Sequence, residues 1–358
     1  HSMGSRISLT LLLATVICAW SSDYSTESDF SSVKKYDTHI HIYTTNDAIS
    51  DQATADNFRM INVSVDAAGN PPLPEQEKFS MYQITAHPRQ IVYVTAFSVK
   101  KWDSVGWADE VIGQLKSSFN NGALGIKIWK NIGMVEKDSS GNFIMIDNPR
   151  FDPVIQYIID QNKTVLGHLG EPKNCWLPIE QMTVNNDKNY FQNHPEYHMY
   201  LHPEYPSYED QINARDRFIT RHPDMRFVGA HLGSLEYDVD SLAKRLDRFP
   251  NMAVDMAARV GHLQYQTKSN REKVRNFMIQ YQDRLIYGSD HGMEETDSVE
   301  NVKTYLHKRW TGDWKYFATD QVLTVEEVEG EFRGLQLPKA VVDKIYYKNA
   351  LKWFGIQD

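Results

Sequence analysis

The run Tyr36-Asp37-Thr38-His39-Ile40-His41-Ile42 decides how the rest of the chain is read. Strand alternation puts Asp37, His39 and His41 on one face and Thr38, Ile40 and Ile42 on the other. The apolar face suits packing beneath helices. The polar face carries two imidazoles two residues apart, and a strand would fix both so that they reach one divalent ion. Two hydrogen-bonded histidines without a metal fit the same spacing, so the other segments have to decide.

From residue 36 onward, β-rich runs alternate with helix-like segments. The strand candidates are 36–42, 59–65, 91–97, 123–129, 164–168, 226–231, 252–256 and 284–289. Helix candidates between them include 74–86, 105–119, 149–162, 208–222, 234–249 and 269–282. Alternation of this kind implies a parallel sheet, and eight strands close into a (β/α)8 TIM barrel. A doubly wound sheet would place a Gly-rich phosphate loop after the first strand, and none is there. The expected fold is therefore α/β, a TIM barrel with a long loop after strand five and extra C-terminal helices beyond residue 311. The long loop, 170–207, is rich in aromatic residues and histidines, which argues against disorder.

Several expected strands end on a side chain able to bind metal. The fifth closes with Gly167-His168, the sixth with Ala230-His231 and the eighth with Ser289-Asp290. Barrel enzymes place catalytic groups at these C-terminal strand ends. In the fourth strand, Ile126 and Ile128 face the helices and Lys127 points inward. Lys127 fits either an ion-pair partner, a carboxylate anchor or a carbamylated bridge between two metals.

The set His39-x-His41, His168, His231 in Ala-His-Leu-Gly, and Asp290 in Gly-Ser-Asp resembles the amidohydrolase superfamily. More narrowly it is similar to the amidohydrolase-2 branch, which includes aminocarboxymuconate-semialdehyde decarboxylase and lactonases. Residues 345–355 resemble that branch's closing helix, and the likeness runs from about residue 36 to 356. It implies that His39, His41, His168 and Asp290 hold a divalent ion, expected to be Zn2+. It further implies that His231 serves as acid/base or polarises the substrate oxygen. One ion is favoured over two, with Lys127 and His231 as ligands should a second be present. A bound divalent ion lowers the pKa of its water toward ~7 and polarises a carbonyl. Asp290 is placed to accept the water's proton and return it to a leaving group.

The chain has 358 residues, 41% hydrophobic and 24% charged, with 38 Lys and Arg against 47 Asp and Glu, a formal charge of −9. No Lys/Arg block marks a nucleic-acid surface. Arg6 followed by the apolar run 7–19 and polar Ser21-Ser22-Asp23 reads as a signal peptide, after a His1-Ser2 tag scar. The expectation is export to a periplasmic or extracellular space, or a cytoplasmic location if the run is not a signal. No integral membrane segment remains after signal removal. Cys18 falls inside that run, leaving Cys175 alone without an internal disulfide. Residues 1–35 thus read as scar, signal and tether, and 36–358 as one barrel domain.

Substrate contacts are expected from Glu171, three residues past His168, from Trp176 in the long loop, and from Lys130, Arg259 and His291 near the barrel mouth. The leading expectation is a metal-dependent hydrolase acting on a small lactone, ester or amide carbonyl, with a sugar-derived substrate in view. A metal-dependent nonoxidative decarboxylase is the first alternative, favoured by an arginine facing a substrate carboxylate. A catalytically silent ligand-binding barrel is the second. The expected partner is a small molecule, with homo-oligomerisation left open.

Overall fold

The computed structural model describes residues 23–358. The signal-peptide reading of 7–19 lies outside the described residues. Residues 26–32, expected as a loose tether, are packed: Phe30 is buried, and Trp314 Nε1 donates to Thr26 O at 3.0 Å.

The eight expected strands are all present. They are β1 (Lys35–Tyr43), β2 (Phe58–Val63), β3 (Ile91–Ala96), β4 (Gly125–Ile128), β5 (Thr164–Gly167), β6 (Arg226–Gly229), β7 (Met252–Asp255) and β8 (Leu285–Ile286), with a further segment β9 (His291–Glu294). Each pairs in parallel with its sequence neighbour from β1 to β8, and β9 pairs in parallel with β1. Because β8 and β9 are pieces of one stretch, the ring closes. Thr38 N donates to Tyr287 O at 3.2 Å and Asp290 N donates to His39 O at 2.9 Å across the junction. The eighth stave is interrupted where Asp290 takes φ 69°, a left-handed conformation that Asp tolerates.

Two apolar layers hold the barrel. Inside it lie Tyr36, Ile61, Val63, Val94, Leu166, Val228, Ala253 and Ile286. Trp353 and Phe354 of the last helix, Asn349–Phe354, join this inner cluster. Thr164 Oγ1 bonds Trp353 O at 2.7 Å and Trp353 Nε1 bonds Asp283 O at 2.9 Å, so that helix seals the N-terminal end of the barrel. The second layer lies between strands and helices and includes Ile40, Ile42, Phe58, Ile126, Val165 and Phe227.

The first strand departs from simple alternation. Its register against β2 shifts between Asp37 and Ile40. Tyr36 consequently points into the barrel, as do His39 and His41 further along, while Asp37 accepts a bond from Trp310 Nε1 of the outer helix at 2.8 Å. Asp37 therefore does not share the histidines' face.

Long loop 170–207 ends where Ser207 starts the helix Tyr208–Arg221 with a reciprocal cap: Asp210 N donates to Ser207 Oγ at 3.1 Å and Ser207 N to Asp210 Oδ2 at 2.9 Å. Beyond the barrel, helix Val299–Ala318 is followed by an antiparallel hairpin, β10 (Val322–Val325) and β11 (Val328–Arg333). Only helices were expected there. The hairpin arises because two short β-rich runs flank a tight Glu326-Glu327 turn. No described helix is long and apolar enough to cross a membrane.

Candidate active site

The strand ends converge at the C-terminal mouth, at the floor of a cavity of about 730 Å³ lined by His41, Lys127, His168, Glu171, His231, Arg259 and Asp290, among others. His41 Nε2 is 2.9 Å and His39 Nε2 3.4 Å from Asp290 Oδ1. The ring centroids of His39 and His231 are 4.9 Å apart, and those of His168 and His231 4.4 Å. All five ligand-type residues picked out from the sequence thus meet in one place, and Lys127 joins them with Nζ 3.0 Å from His39 Nε2.

Each imidazole is oriented by its other nitrogen. His39 Nδ1 faces Asp255 Oδ2 at 2.8 Å, His41 Nδ1 faces Val63 O at 2.9 Å and His231 Nδ1 faces Ala257 O at 2.7 Å. Those oxygens only accept, so Nδ1 carries a hydrogen in each ring and Nε2 is the atom that would face a cation. His168 is reversed: its Nε2 faces Glu171 Oε1 at 2.8 Å, leaving Nδ1 as the lone-pair atom.

Burial shifts His39, His168 and His231 toward the neutral form. It pushes His39 and His231 well below the ordinary imidazole value, helped by the Lys127 ammonium for His39 and by His168 for His231. His168 is pushed down to about 4 by burial despite Glu171. Burial also pushes Lys127 down to about 8. Burial alone would raise Asp290, but the facing His39, His41 and His231 outweigh it and hold the carboxyl well below the usual range. A divalent cation requires imidazole lone pairs and an ionised carboxylate, and the shifts of His39, His168, His231 and Asp290 run in that direction.

Among the described residues, two groups of potential ligand atoms fall within 4.8 Å of one another: His39, His41 and Asp290, and His39, His231 and Asp255. The first fits a cation. In the second, Asp255 already accepts from His39 Nδ1, from His231 N at 2.8 Å and from Ala257 N at 3.1 Å. Both its oxygens are thus engaged, and its effect is to aim His39, the usual task of a carboxylate behind a metal-binding histidine. Sequence reasoning passed over Asp255, although it ends the apolar run Met252-Ala253-Val254 just as the other ligand-type residues end theirs.

Residues 104–356 match the family model described as Amidohydrolase. The chain belongs to the amidohydrolase family. Fold comparison agrees: this amidohydrolase is similar to 2,6-dihydroxybenzoate decarboxylase from Rhizobium, at 14% identity and TM-score 0.52, over 90% of this chain and 98% of that one. It is also similar to 5-carboxyvanillate decarboxylase from Novosphingobium aromaticivorans, solved with bound manganese, at 12% identity and TM-score 0.50, over 92% and 99% of the two chains. At such identities the likeness speaks for the fold. No curated protein matches the amidohydrolase in sequence.

The residues expected to touch substrate divide. Arg259 lines the cavity; its Nη1 bonds Ala258 O at 3.0 Å, and its Nε is 3.9 Å from Glu236 Oε1, too far for a hydrogen bond. Glu171 and Lys130 also line it, but they are engaged with each other at 3.1 Å, and Lys130 further donates to Tyr190 Oη at 3.0 Å and sits 4.1 Å from the Tyr197 ring centroid. Burial opposes both charges, yet the pair shifts each toward its ionised form. Trp176 lies outside the cavity wall and packs edge-on to Tyr208, with ring centroids 5.5 Å apart. His291 lines a separate groove beside Ile49 and Tyr305. The cavity wall instead includes Trp129, Asn186, Asp187, Tyr190 and Tyr197.

Proposed function

We propose that this amidohydrolase is a metal-dependent hydrolase of a small lactone, ester or amide, of sugar-derived type, carrying a carboxylate. The observation that supports this most is the convergence of His39 Nε2, His41 Nε2 and Asp290 Oδ1 at the floor of an open polar cavity. Those three, with His168, would hold the ion, zinc being the expected metal and manganese the one bound by a structural neighbour. A divalent ion there supplies Lewis-acid polarisation of the substrate carbonyl and acidifies water.

The remaining work falls to the chain's own groups. Asp290 is ionised and sits at the cavity floor, so its free oxygen can accept the proton of an attacking water and later return it to the leaving group. His231, neutral with its Nε2 lone pair available, is a second proton acceptor beside it. Lys127 donates toward His39 Nε2 and, with an ion in place, is free to face the substrate oxygen. Arg259 presents an incompletely paired guanidinium to the cavity and suits a substrate carboxylate.

That same arginine favours a second reading, nonoxidative decarboxylation, in which the bound carboxylate is the group lost. Two panels separate the readings. Purified protein supplied with zinc or manganese is offered sugar lactones, esters and amides, followed by proton release, and hydroxylated aromatic acids, followed by CO2 release. Metal-dependent proton release with the first panel is expected. Metal-dependent CO2 release alone would install the decarboxylase, and turnover of neither would favour a silent binding barrel.

A further inference from the structure

The turn that delivers His231 to the cavity is built from backbone conformations that L-residues avoid. His231, Leu232, Gly233 and Ser234 have φ of 60°, 56°, 61° and 56° in succession. Single left-handed residues are common at turns, but each non-glycine one costs roughly 1–2 kcal/mol, and consecutive ones are not expected to persist unaided. Three of these four carry a side chain. Something around the turn must hold it.

Some of that support comes from the site itself, through the bonds from His231 N to Asp255 Oδ1 and from His231 Nδ1 to Ala257 O. The turn's own bonds, Ser234 N to His231 O at 3.2 Å and Leu235 N to Leu232 O at 3.1 Å, add to it, and further support comes from behind. Tyr208 Oη donates to Ser234 O at 2.6 Å, and Ser234 Oγ donates to Gly170 O at 2.9 Å. Arg215 Nη1 donates to Gly233 O.

Arg215 is the unusual member. Its guanidinium is 1% exposed and its Nε has no partner among the described residues. Its ion pair with Asp216 is long, 3.4 Å, and Asp216 is already served by Arg245 at 3.3 Å and Arg248 at 3.8 Å. A buried cation so poorly paired is costly unless it answers another need. Its best partner is the carbonyl of the left-handed turn. The two also fit sterically: a Cβ on Gly233 would lie 3.2 Å from Arg215 Nη1 and 3.2 Å from Met252 Cε, on a backbone that already needs glycine.

We infer that Arg215 is a positioning residue for His231: by capping the Gly233 carbonyl it holds the left-handed turn that carries the imidazole into the cavity. Arg215 and Tyr208 belong to the helix that follows the long loop, so one helix anchors both the loop's end and the His231 turn. The inference rests on the reading of His231 as a site residue, and its test is a readout of geometry.

That test follows ring nitrogens by NMR in histidine-labelled, zinc-supplied protein. The His231 Nδ1–H, bonded to Ala257 O, is assigned by its loss in His231→Gln. In Arg215→Met this signal should shift or vanish into solvent exchange, while the His41 Nδ1–H, bonded to Val63 O, stays and reports an intact barrel. Arg215→Lys keeps a donor in reach and should restore part of the signal. An unchanged His231 signal in Arg215→Met would overturn the inference. If that variant does not fold, Arg215→Lys decides: weakened protection supports the inference and wild-type protection overturns it. A displaced His231 with undiminished turnover would leave the positioning intact and remove His231 from the proposed chemistry.

Discussion

Glu171 Oε1 lies 2.8 Å from His168 Nε2, three residues earlier in the chain, and both side chains are buried. The other Glu171 oxygen meets Lys130, which is gripped by Tyr190 and Tyr197 of the long loop. Glu171 therefore aims His168 and ties it to the loop, where the sequence had suggested a residue free to bind substrate.

Replacing Glu171 by Gln keeps the shape and removes the charge. His168 loses its charged partner and Lys130 its counter-ion. Metal affinity should fall about 10–100-fold, and stability by about 2 kcal/mol. Competition with a chromogenic chelator reads the first and denaturant unfolding the second. Wild-type affinity would remove His168 from the ligand set.

Asp255→Asn should weaken the site from beneath. An amide cannot accept from His39 Nδ1, His231 N and Ala257 N together, and its NH2 would face one of those donors. A loss of about 2 kcal/mol in stability is expected, with metal affinity again lowered about 10–100-fold. The same two assays apply, and undiminished metal binding would show that His39 needs no orienting carboxylate.

Asp290→Asn should abolish turnover in whichever panel the enzyme answers, while the melting temperature stays within a few degrees of wild type. Asp290 is partly open to the cavity, so its loss is expected to be chemical rather than structural. Turnover near the wild-type rate would pass the role of proton acceptor to His231.

The strand-end candidates were legible because a barrel imposes one rule at every stave: an apolar run, then a polar residue at the C-terminal end. His168, His231 and Asp290 obey it, while His39 and His41 were legible from their alternation within the first strand. Asp255 obeys it too and was overlooked, since an Asp before a turn reads as ordinary. The β1 irregularity was not legible because it is a matter of register against β2. Asn62 accepts from Ile42 N at 2.7 Å and donates to Ile42 O at 3.2 Å, so a side chain replaces part of the backbone pairing. Glu171 and Lys130 were recognised by type, but their mutual pairing spans 41 residues and depends on how the long loop folds. The directions of Trp176 and His291 depend on the same kind of non-local packing.

One stability prediction concerns a carboxyl away from the site. Burial pushes Asp313 up to about 6, against its ordinary 3.8, with Tyr287 Oη donating to it at 2.6 Å. A raised folded value means the folded state binds the proton more tightly, so this group's contribution improves as pH falls through 6. Relative to Asp313→Asn, the wild type should gain about 1 kcal/mol between pH 7 and pH 5. Parallel melts of the two proteins across that range read it, and a constant difference would mean that Asp313 titrates normally.

The central claim is that His39, His41 and Asp290, with His168, form a divalent metal site. Elemental analysis of protein purified without chelator, reporting metal identity and moles per chain, tests it most directly when His39→Ala and His41→Ala are measured beside the wild type. The account predicts close to one equivalent in the wild type and little in either variant. Equal metal in all three, or none in the wild type even after reconstitution with zinc and manganese, would contradict it.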